Sequence, residues 1–358
     1  LMGALQHGYE RDLQLFWSTA KTTQQAVVER TAAVFLEKGH AVRCVTLVAK
    51  EKACLNDVVS CRSDDCPFAK DYYDKMCHGD VLSTSWERPI LNREALRALG
   101  ETHQVCPYQL GLDLSDSADI VVGDYNYAFD PERSVVFAQD PSMWMVVTDE
   151  AHQLVERGRR YGSPSLLAAL PLRAATHLER VDSRSYGPFI QLARDITDAI
   201  LDAGCAVDGR LRHGQSVVEL SRQVWQDLAD QIDELAIDYA RIRARVPTVA
   251  PGESDPWLEV ARSVLRFWHV MESMGSETVA IVDLSPGRQA VQLLCLDPSA
   301  QLQARMQLFG GWVGCSATLS PQQYYMDLLG LDPATSNTLR LPAFFPPERR
   351  RIVVASRV

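Results

Sequence analysis

The sequence lacks any apolar run close to the ~18 residues that a membrane-spanning helix needs. Near its N-terminus, Glu10, Arg11 and Asp12 stand where a signal peptide would have its apolar stretch. Internal repeats and low-complexity tracts are also absent. These absences argue against a membrane protein, a secreted protein and a repeat array, and they predict a cytoplasmic location.

Positive charge is scarce as well. The 36 Lys and Arg residues are outnumbered by 46 Asp and Glu residues, which gives a net charge of −10. A protein that coats nucleic acid by bulk electrostatics would carry the opposite sign, although a narrow basic track is compatible with this composition. The 358 residues are enough for two or three domains, each with its own core.

The nine cysteines are the next informative feature, because a reducing cytosol argues against disulfides and clustered thiols then indicate metal ligands. Six residues separate Cys54 from Cys61, four separate Cys61 from Cys66, and thirty-nine separate Cys66 from Cys106. Four such thiolates can enclose either Zn²⁺ or an iron–sulfur cluster, and spacing alone does not choose between them.

Two features of this cysteine group favour iron–sulfur. Structural zinc sites usually combine two close pairs with about 2–4 residues inside each pair, and only one pair is close here. Pro67 and Pro107 directly follow two of the cysteines and fit cluster ligands, where the backbone turns sharply. Cys77 is predicted to be a semi-buried helix thiol. The remaining cysteines lie in apolar contexts typical of a core: Cys44, Cys205, Cys295 and Cys315.

The apolar periodicity predicts an α/β fold with a parallel sheet. A strand over Leu13–Thr19, a helix over Lys21–Glu37 ended by Gly39, and a strand over Ala41–Ala49 follow one another. Regular alternation then stops for about sixty residues and resumes with a strand at Ala118–Gly123. We therefore expect an insertion between two strands of one sheet.

A second interruption covers residues 162–275, whose periodicity is mostly helical and strongest in Ser216–Arg245. Thr278–Leu284 and Ala290–Leu296 then predict a hairpin, followed by a helix over Ser299–Phe309 and a strand over Gly311–Cys315. One sheet domain is thus predicted to be interrupted twice.

Asp149, Glu150 and His152 directly follow the apolar run 143–148. A buried parallel strand that ends in carboxylates places them at the carboxyl edge of the sheet, where ligands bind. Asp149 would hold Mg²⁺ through its water shell, Glu150 would orient and deprotonate the water that attacks a γ-phosphate, and His152 would sense the nucleotide. The competing interpretation is a surface turn that carries an Asp-Glu pair.

Two further groups fit nucleic acid. Hydroxyl groups at a helix start, as at Thr19, Thr22 and Thr23, suit phosphate oxygens without demanding a base sequence. Tyr125 and Tyr127 follow the strand that ends at Gly123; their rings could stack on bases or simply pack beneath the strand end.

Together, the Asp-Glu-Ala-His box, the four-cysteine insertion before it, the helical insertion after it and the Ser316-Ala317-Thr318 strand end resemble one family. This family is the XPD/DinG-like iron–sulfur DNA helicases of superfamily 2. The segments 54–57 (Cys-Leu-Asn-Asp), 66–70 (Cys-Pro-Phe-Ala-Lys) and 106–108 (Cys-Pro-Tyr) are similar to its bacterial DinG-related branch.

The resemblance implies site residues. It implies that a [4Fe–4S] cluster is held by Cys54, Cys61, Cys66 and Cys106. It implies that Asp149, Glu150 and His152 form motif II, and that Ser316 and Thr318 form motif III, which couples nucleotide state to DNA movement. The segment 18–23, which contains Thr19, Lys21, Thr22 and Thr23, looks like motif Ia, a single-strand DNA contact.

The resemblance also implies a domain plan: a RecA-like parallel-sheet motor domain interrupted by an iron–sulfur cluster domain and a helical arch domain. The motor domain would comprise residues 1–50, 116–161 and 276–345. The cluster domain would comprise residues 51–115, the arch domain residues 162–275, and residues 346–358 would begin a second motor domain. The arch and cluster domains would form the hole through which one DNA strand passes.

The function implied is that of a monomeric, ATP-dependent 5′-to-3′ helicase that acts with Mg²⁺ on single-stranded or forked DNA in repair or replication. The sequence departs from the family pattern because it has no Gly-x-x-x-x-Gly-Lys-Ser/Thr loop to cradle phosphates. We therefore expect a piece of a helicase that does not hydrolyse ATP by itself. The alternative is a non-catalytic, metal-stapled nucleic-acid-binding or scaffold protein.

Overall fold

The computed structural model describes residues 1–59, 61, 66–136, 138–205, 214–250 and 253–342. The predicted start of a second motor domain, residues 346–358, lies outside them. Ten strands form two sheets within the described residues. The strands are β1 (Gln14–Ser18), β2 (Cys44–Thr46), β3 (Ile90–Leu91), β4 (Ile120–Gly123), β5 (Trp144–Asp149), β6 (Ser165–Leu167), β7 (Gln215–Val218), β8 (Thr278–Asp283), β9 (Ala290–Cys295) and β10 (Gly311–Cys315).

The helices surround these sheets, and a 3₁₀ turn at Pro141–Met143 precedes β5. They are α1 (Met2–Arg11), α2 (Thr22–Glu37), α3 (Lys50–Ala53), α4 (Tyr72–His78), α5 (Val81–Ser85), α6 (Arg93–His103), α7 (Pro107–Ser115), α8 (Asn126–Phe129), α9 (His152–Tyr161), α10 (Ala169–Asp182), α11 (Gly187–Cys205), α12 (Arg222–Arg245), α13 (Pro256–Glu272), α14 (Ser299–Met306) and α15 (Gln322–Leu328). No described helix is both long enough and apolar enough to cross a membrane.

The larger sheet has six parallel strands in the order β10-β5-β1-β4-β2-β3 among the described residues. Both of its faces are covered, so β4 and β5 read as nearly continuous apolar runs. Side chains alternate between the faces: Leu15 and its register partner Ile120 join the core beneath α1 and α2, whereas Phe16 and Val121 join the opposite core. The fold is therefore α/β, as the periodicity predicts.

Helix α2 confirms the predicted strand–helix unit. It begins after Lys21, whose backbone is extended, and it buries Val28 and Ala32 against the sheet. Its end is marked by Gly39, whose φ of 85° lies in the left-handed region that glycine adopts without a Cβ penalty. Because β1 is parallel to its neighbours, the start of α2 lies at the carboxyl edge of the sheet.

The cysteine-bearing insertion between β2 and β4 is packed onto the sheet. Its short strand β3 pairs in parallel with β2, and Leu91, Leu96 and Leu110 share one core with Phe16 of β1. The strand predicted over Ala41–Ala49 shortens to β2. The insertion therefore extends the parallel sheet at its edge, and its described residues share the core of that sheet.

The second interruption forms a separate core, in which α10 to α13 pack on a four-stranded sheet with the order β6-β9-β8-β7. The predicted hairpin is confirmed as β8 and β9. The domain plan implied by the resemblance puts this hairpin in the motor domain. The structure instead pairs it with β6 and β7, because Val282, Val291 and Leu293 bury their side chains against α10 to α13. The helix predicted from Ser216 begins only at Arg222, since residues 215–218 pair with β8 instead.

Candidate active site and cysteine cavity

The carboxyl edge of the parallel sheet brings motif II beside the end of β10. Asp149 is the last residue of β5, and its register partner is Cys315, the last residue of β10. Burial raises the pKa of the Asp149 carboxyl, while its hydrogen bond from the Glu150 backbone N–H (3.0 Å) pulls in the opposite direction. The carboxylate is thus half-buried at the edge where ligands of parallel sheets bind.

Glu150 sits in an unusual backbone conformation. Its φ of 52° lies in the left-handed region, which is uncommon for residues other than glycine and is found at functional sites held by their surroundings. The next amide, that of Ala151, donates to the carbonyl of Cys315 (3.0 Å). This turn leads directly into α9 at His152, so motif II is tied to the end of β10 by its main chain.

Four side chains predicted from the sequence meet in one hydrogen-bond network, although more than 160 residues separate the two halves. The Ser316 hydroxyl lies 3.1 Å from Oε2 of Glu150 and 2.8 Å from Nδ1 of His152. Thr318 contributes its hydroxyl, 3.2 Å from the same Nδ1, and its N–H, which donates to Ser316 Oγ. Glu150 and His152 are themselves 3.3 Å apart.

The number of available protons determines which group donates in each of these hydrogen bonds. A hydroxyl has one proton, so when Ser316 donates to the Glu150 carboxylate it must accept from His152. That places the proton on Nδ1 of His152 and leaves Nε2 as the nitrogen outside the network. The Ser316 hydroxyl thus joins the residue after β10 to the carboxylate of Glu150 through one hydrogen bond.

The predicted single-strand contact divides into exposed and buried parts. Lys21, Thr22 and Thr23 are exposed at the start of α2, on the same sheet edge as motif II. Thr19 is fully buried, and its hydroxyl donates to the side chain of Gln24 (2.5 Å). The prediction that Thr19 offers its hydroxyl to DNA is therefore wrong, because β1 carries it into the interior before the chain turns outward.

Tyr125 does not present its ring for stacking, which corrects the DNA-binding prediction for this residue. It is fully buried, and its hydroxyl donates to the main-chain carbonyls of Asp149 and Glu150. Tyr127 is also buried, with its hydroxyl on the carbonyl of Val48 (2.9 Å). Both rings pack beneath the end of β4, the interpretation that the sequence left open.

The four predicted cluster ligands line one cavity of about 210 Å³: Cys54, Cys61, Cys66 and Cys106. They come from the end of α3, from the loops before α4 and from the start of α7. In the part of the chain that the structure describes, no group of three or more His, Cys, Asp or Glu side chains is close enough to hold one metal ion. The four cysteines therefore share one cavity, but in the described residues they do not lie close enough together to form a metal site.

Burial raises the pKa of the Cys106 thiol, whereas the backbone N–H groups of Gln109 and Tyr108 at the start of α7 favour its thiolate. Asn56 Nδ2 lies 3.3 Å from the sulfur of Cys66, in position to donate to it. The backbone N–H groups beside Cys106 and the Asn56 donor beside Cys66 both suit a sulfur that carries negative charge, as a metal-bound thiolate does.

Two cations hold the segments that carry the cysteines. Lys75 Nζ donates to the carbonyls of Pro67 (2.7 Å) and Gln104 (2.8 Å), and so joins the loop after Cys66 to the loop before Cys106. Arg97 of α6 donates to the carbonyls of Ala53 and Cys54. Sequence reasoning missed both, since an isolated Lys or Arg on a helix gives no signal of the loop that it contacts.

Three of the other cysteines follow the predictions, one does not, and the prediction for Cys205 stays untested. Cys44 and Cys295 are buried and Cys315 is half-buried, while the side chain of Cys205 lies outside the described residues. Cys77 was predicted to be semi-buried, but the structure leaves it exposed on α4. The buried face of that short helix is instead occupied by Tyr72.

Residues 17–168 match the DEAD_2 family. The human Regulator of telomere elongation helicase 1 is 34% identical over 92 residues, which are 26% of this chain and 7% of that protein. The General transcription and DNA repair factor IIH helicase subunit XPD of Dictyostelium discoideum is 38% identical over 66 residues, 18% of this chain and 8% of that protein. The matched segments thus span a small part of these relatives.

Two solved structures share the fold over almost the whole chain. One is titled XPD_Helicase, with a TM-score of 0.56 and 19% identity over 89% of this chain and 53% of its own. The other, Truncated XPD, has a TM-score of 0.55 and 18% identity over 92% of this chain and 88% of its own. The α/β fold with its six-stranded parallel sheet is accordingly similar to that of these XPD structures. Residues 17–168 are thus similar to the DEAD_2 family, and the fold of the chain is similar to that of the solved XPD structures.

Proposed function

We propose that this chain is the core of an ATP-dependent DNA helicase, in which Glu150 acts as the base of ATP hydrolysis. The observation that supports this most directly is the hydrogen-bond network from Glu150 through Ser316 to His152 and Thr318. A surface turn with an accidental Asp-Glu pair has no reason to join a strand end that lies far away in the sequence.

In this mechanism, the Mg²⁺ ion neutralises charge on the transferred phosphate when it is bound. Asp149, half-buried at the end of β5, would hold the metal's water shell. Glu150 would accept a proton from the attacking water, and the hydroxyl of Ser316 would keep its carboxylate in one orientation. Since Ser316 directly follows β10, a shift of that strand would change the position of the base.

DNA would contact the same sheet edge. Lys21, Thr22 and Thr23 are exposed at the start of α2, where backbone N–H groups and hydroxyls favour phosphate oxygens over base edges. Contacts of this kind carry no sequence preference and weaken as salt rises. The substrate proposed is single-stranded or forked DNA, and the 5′-to-3′ direction is proposed from the family alone.

The four cysteines are proposed to hold a [4Fe–4S] cluster that braces the insertion, which supplies structure and not chemistry to the reaction. Three observations support this assignment: the common cavity, the Asn56 donor, and the two cations at the cysteine segments. Lys75 joins the loops of Cys66 and Cys106, and Arg97 holds the segment that ends at Cys54. The proposed division of the chain keeps residues 51–115 as the cluster domain and moves the hairpin of residues 278–295 to the helical domain, whose core it shares.

The hydrolysis proposal is tested in the complete protein with Glu150→Gln. This variant is expected to bind ATP with unchanged affinity and to lose DNA-stimulated turnover, because an amide accepts no proton from water. Turnover close to that of the unchanged protein would refute the assignment of the base. The chain by itself is expected to show no turnover, since its sequence has no phosphate-binding loop.

The cluster proposal is tested by metal and sulfide analysis of chain purified without oxygen. Iron and acid-labile sulfide near ~4 each, with broad visible absorbance that Cys106→Ser removes, would support it. One zinc per chain without sulfide, from cells grown with ample iron, would contradict it. That result would favour the alternative of a metal-stapled nucleic-acid-binding scaffold.

A further inference from the structure

We infer that Tyr125 is a positioning residue for Glu150, acting through the main chain of the motif II turn. Its hydroxyl donates to the carbonyls of both Asp149 and Glu150. The inference rests on the proposed function, in which Glu150 is the base. This role differs from the base-stacking contact that the sequence predicted for Tyr125.

The turn needs such support because of its conformation. Glu150 has a φ of 52°, which costs a residue with a side chain of order 1–3 kcal/mol and persists only where the surroundings fix it. Two contacts fix it from outside the turn: the Ala151 N–H on the carbonyl of Cys315, and the Tyr125 hydroxyl on the carbonyls before and after the strained φ. The first comes from the end of β10 and the second from the segment that follows β4.

The donor is itself held in place. Tyr125 is fully buried, and burial raises the pKa of its phenol, so the proton that it donates is present throughout the physiological range. The guanidinium of Arg157 lies over its ring at 5.8 Å and pairs with Asp124 at 3.5 Å. Arg157 belongs to α9, the helix that directly follows the motif II turn, so its contacts join α9 to the segment after β4 that carries Tyr125.

Removing the hydroxyl should therefore loosen the base without disturbing nucleotide binding. Tyr125→Phe keeps the ring, its burial and its contact with Arg157, and deletes only the donor. In the complete protein, loss of one positioning hydrogen bond is expected to lower kcat about tenfold while KM for ATP stays within about twofold. An equal drop in kcat and rise in KM would indicate general disruption of the site.

Tyr127→Phe is the matched control. Tyr127 lies two residues further along, is buried, and donates to a single carbonyl, that of Val48, away from motif II. Both variants should lose similar thermal stability. Only Tyr125→Phe should accelerate hydrogen exchange of the amides in residues 149–152, measured on the chain by mass spectrometry, by about tenfold.

The two readouts separate the possible failures. Unchanged exchange at residues 149–152 in Tyr125→Phe, with kcat equal to that of Tyr127→Phe, overturns the positioning role. If Glu150→Gln in the complete protein keeps its turnover, the proposed function fails, and the exchange measurement alone then decides whether Tyr125 holds the turn. Faster exchange together with the selective loss of kcat supports the inference.

Discussion

Lys75→Met should make the cysteine cavity release the proposed cluster faster, because Lys75 hydrogen-bonds to both the loop after Cys66 and the loop before Cys106. Its ammonium group donates to the carbonyls of Pro67 (2.7 Å) and Gln104 (2.8 Å). Methionine preserves most of the length and apolar contact of the lysine stem and removes both donors.

The size of the effect follows from these two bonds. A hydrogen bond from a charged group contributes about 1.5–3 kcal/mol when buried, and Lys75 is only half-buried, so about 1 kcal/mol for each bond is a fair value. Together they favour the closed arrangement of the two loops by about 2 kcal/mol, a factor of about 30 in its population. Metal release through an opened arrangement should accelerate by about 10- to 30-fold.

The assay is the decay of visible absorbance in excess chelator under nitrogen, with iron content measured at the end. Lys70→Met is the control: Lys70 is exposed in the same segment, and its side chain makes no hydrogen bond or ion pair within the residues described. A release rate for Lys75→Met equal to that of Lys70→Met would refute the reasoning.

Three further predictions concern the sheet edge and the helical core. Asp149→Asn should raise the melting temperature of the metal-free chain at pH 7, measured by calorimetry. Because burial raises the Asp149 pKa, ionisation of this carboxyl opposes folding. The gain in melting temperature should therefore vanish as the pH falls below the unfolded pKa of 3.8. Asp255→Ala should lower the free energy of unfolding by about 3–5 kcal/mol in urea titrations, because it leaves Arg243 and the hydroxyl of Tyr239 without their buried acceptor; a loss below about 1 kcal/mol would contradict this. Ser316→Ala in the complete protein should reduce DNA-stimulated turnover several-fold with unchanged ATP affinity in equilibrium titrations, and a weakened affinity would contradict a purely orienting role.

Much of the candidate site could be predicted from local pattern. The apolar run of β5 followed by Asp149 and Glu150 predicts a strand that ends in carboxylates, and the structure has that strand. The second apolar strand that ends before Ser316 is equally local, with its observed bounds matching the prediction. Parallel strands share their carboxyl edge, so the meeting of these two ends required no further information.

What failed in prediction depended on side-chain direction. Thr19 and Tyr125 lie in segments that were correctly placed at the sheet edge, yet both point inward. A hydroxyl at a helix start can face phosphate or a neighbouring glutamine, and an aromatic ring at a strand end can face solvent or the core. These alternatives differ only in contacts with residues distant in the sequence, and Tyr125 meets the turn of motif II 24 residues away.

The sequence by itself determined seven of the ten described strands, the helices α2, α12 and α14, the clustered cysteines and the carboxylates of motif II, because each depends on periodicity or spacing over a few residues. Only the tertiary structure decided which sheet received the hairpin of β8 and β9, that Lys75 joins two cysteine loops, and that Tyr125 braces the left-handed turn at Glu150. The physical reason is that strand pairing and buried hydrogen bonds are satisfied by partners of many possible sequence separations, and the shared burial of distant apolar faces selects among them.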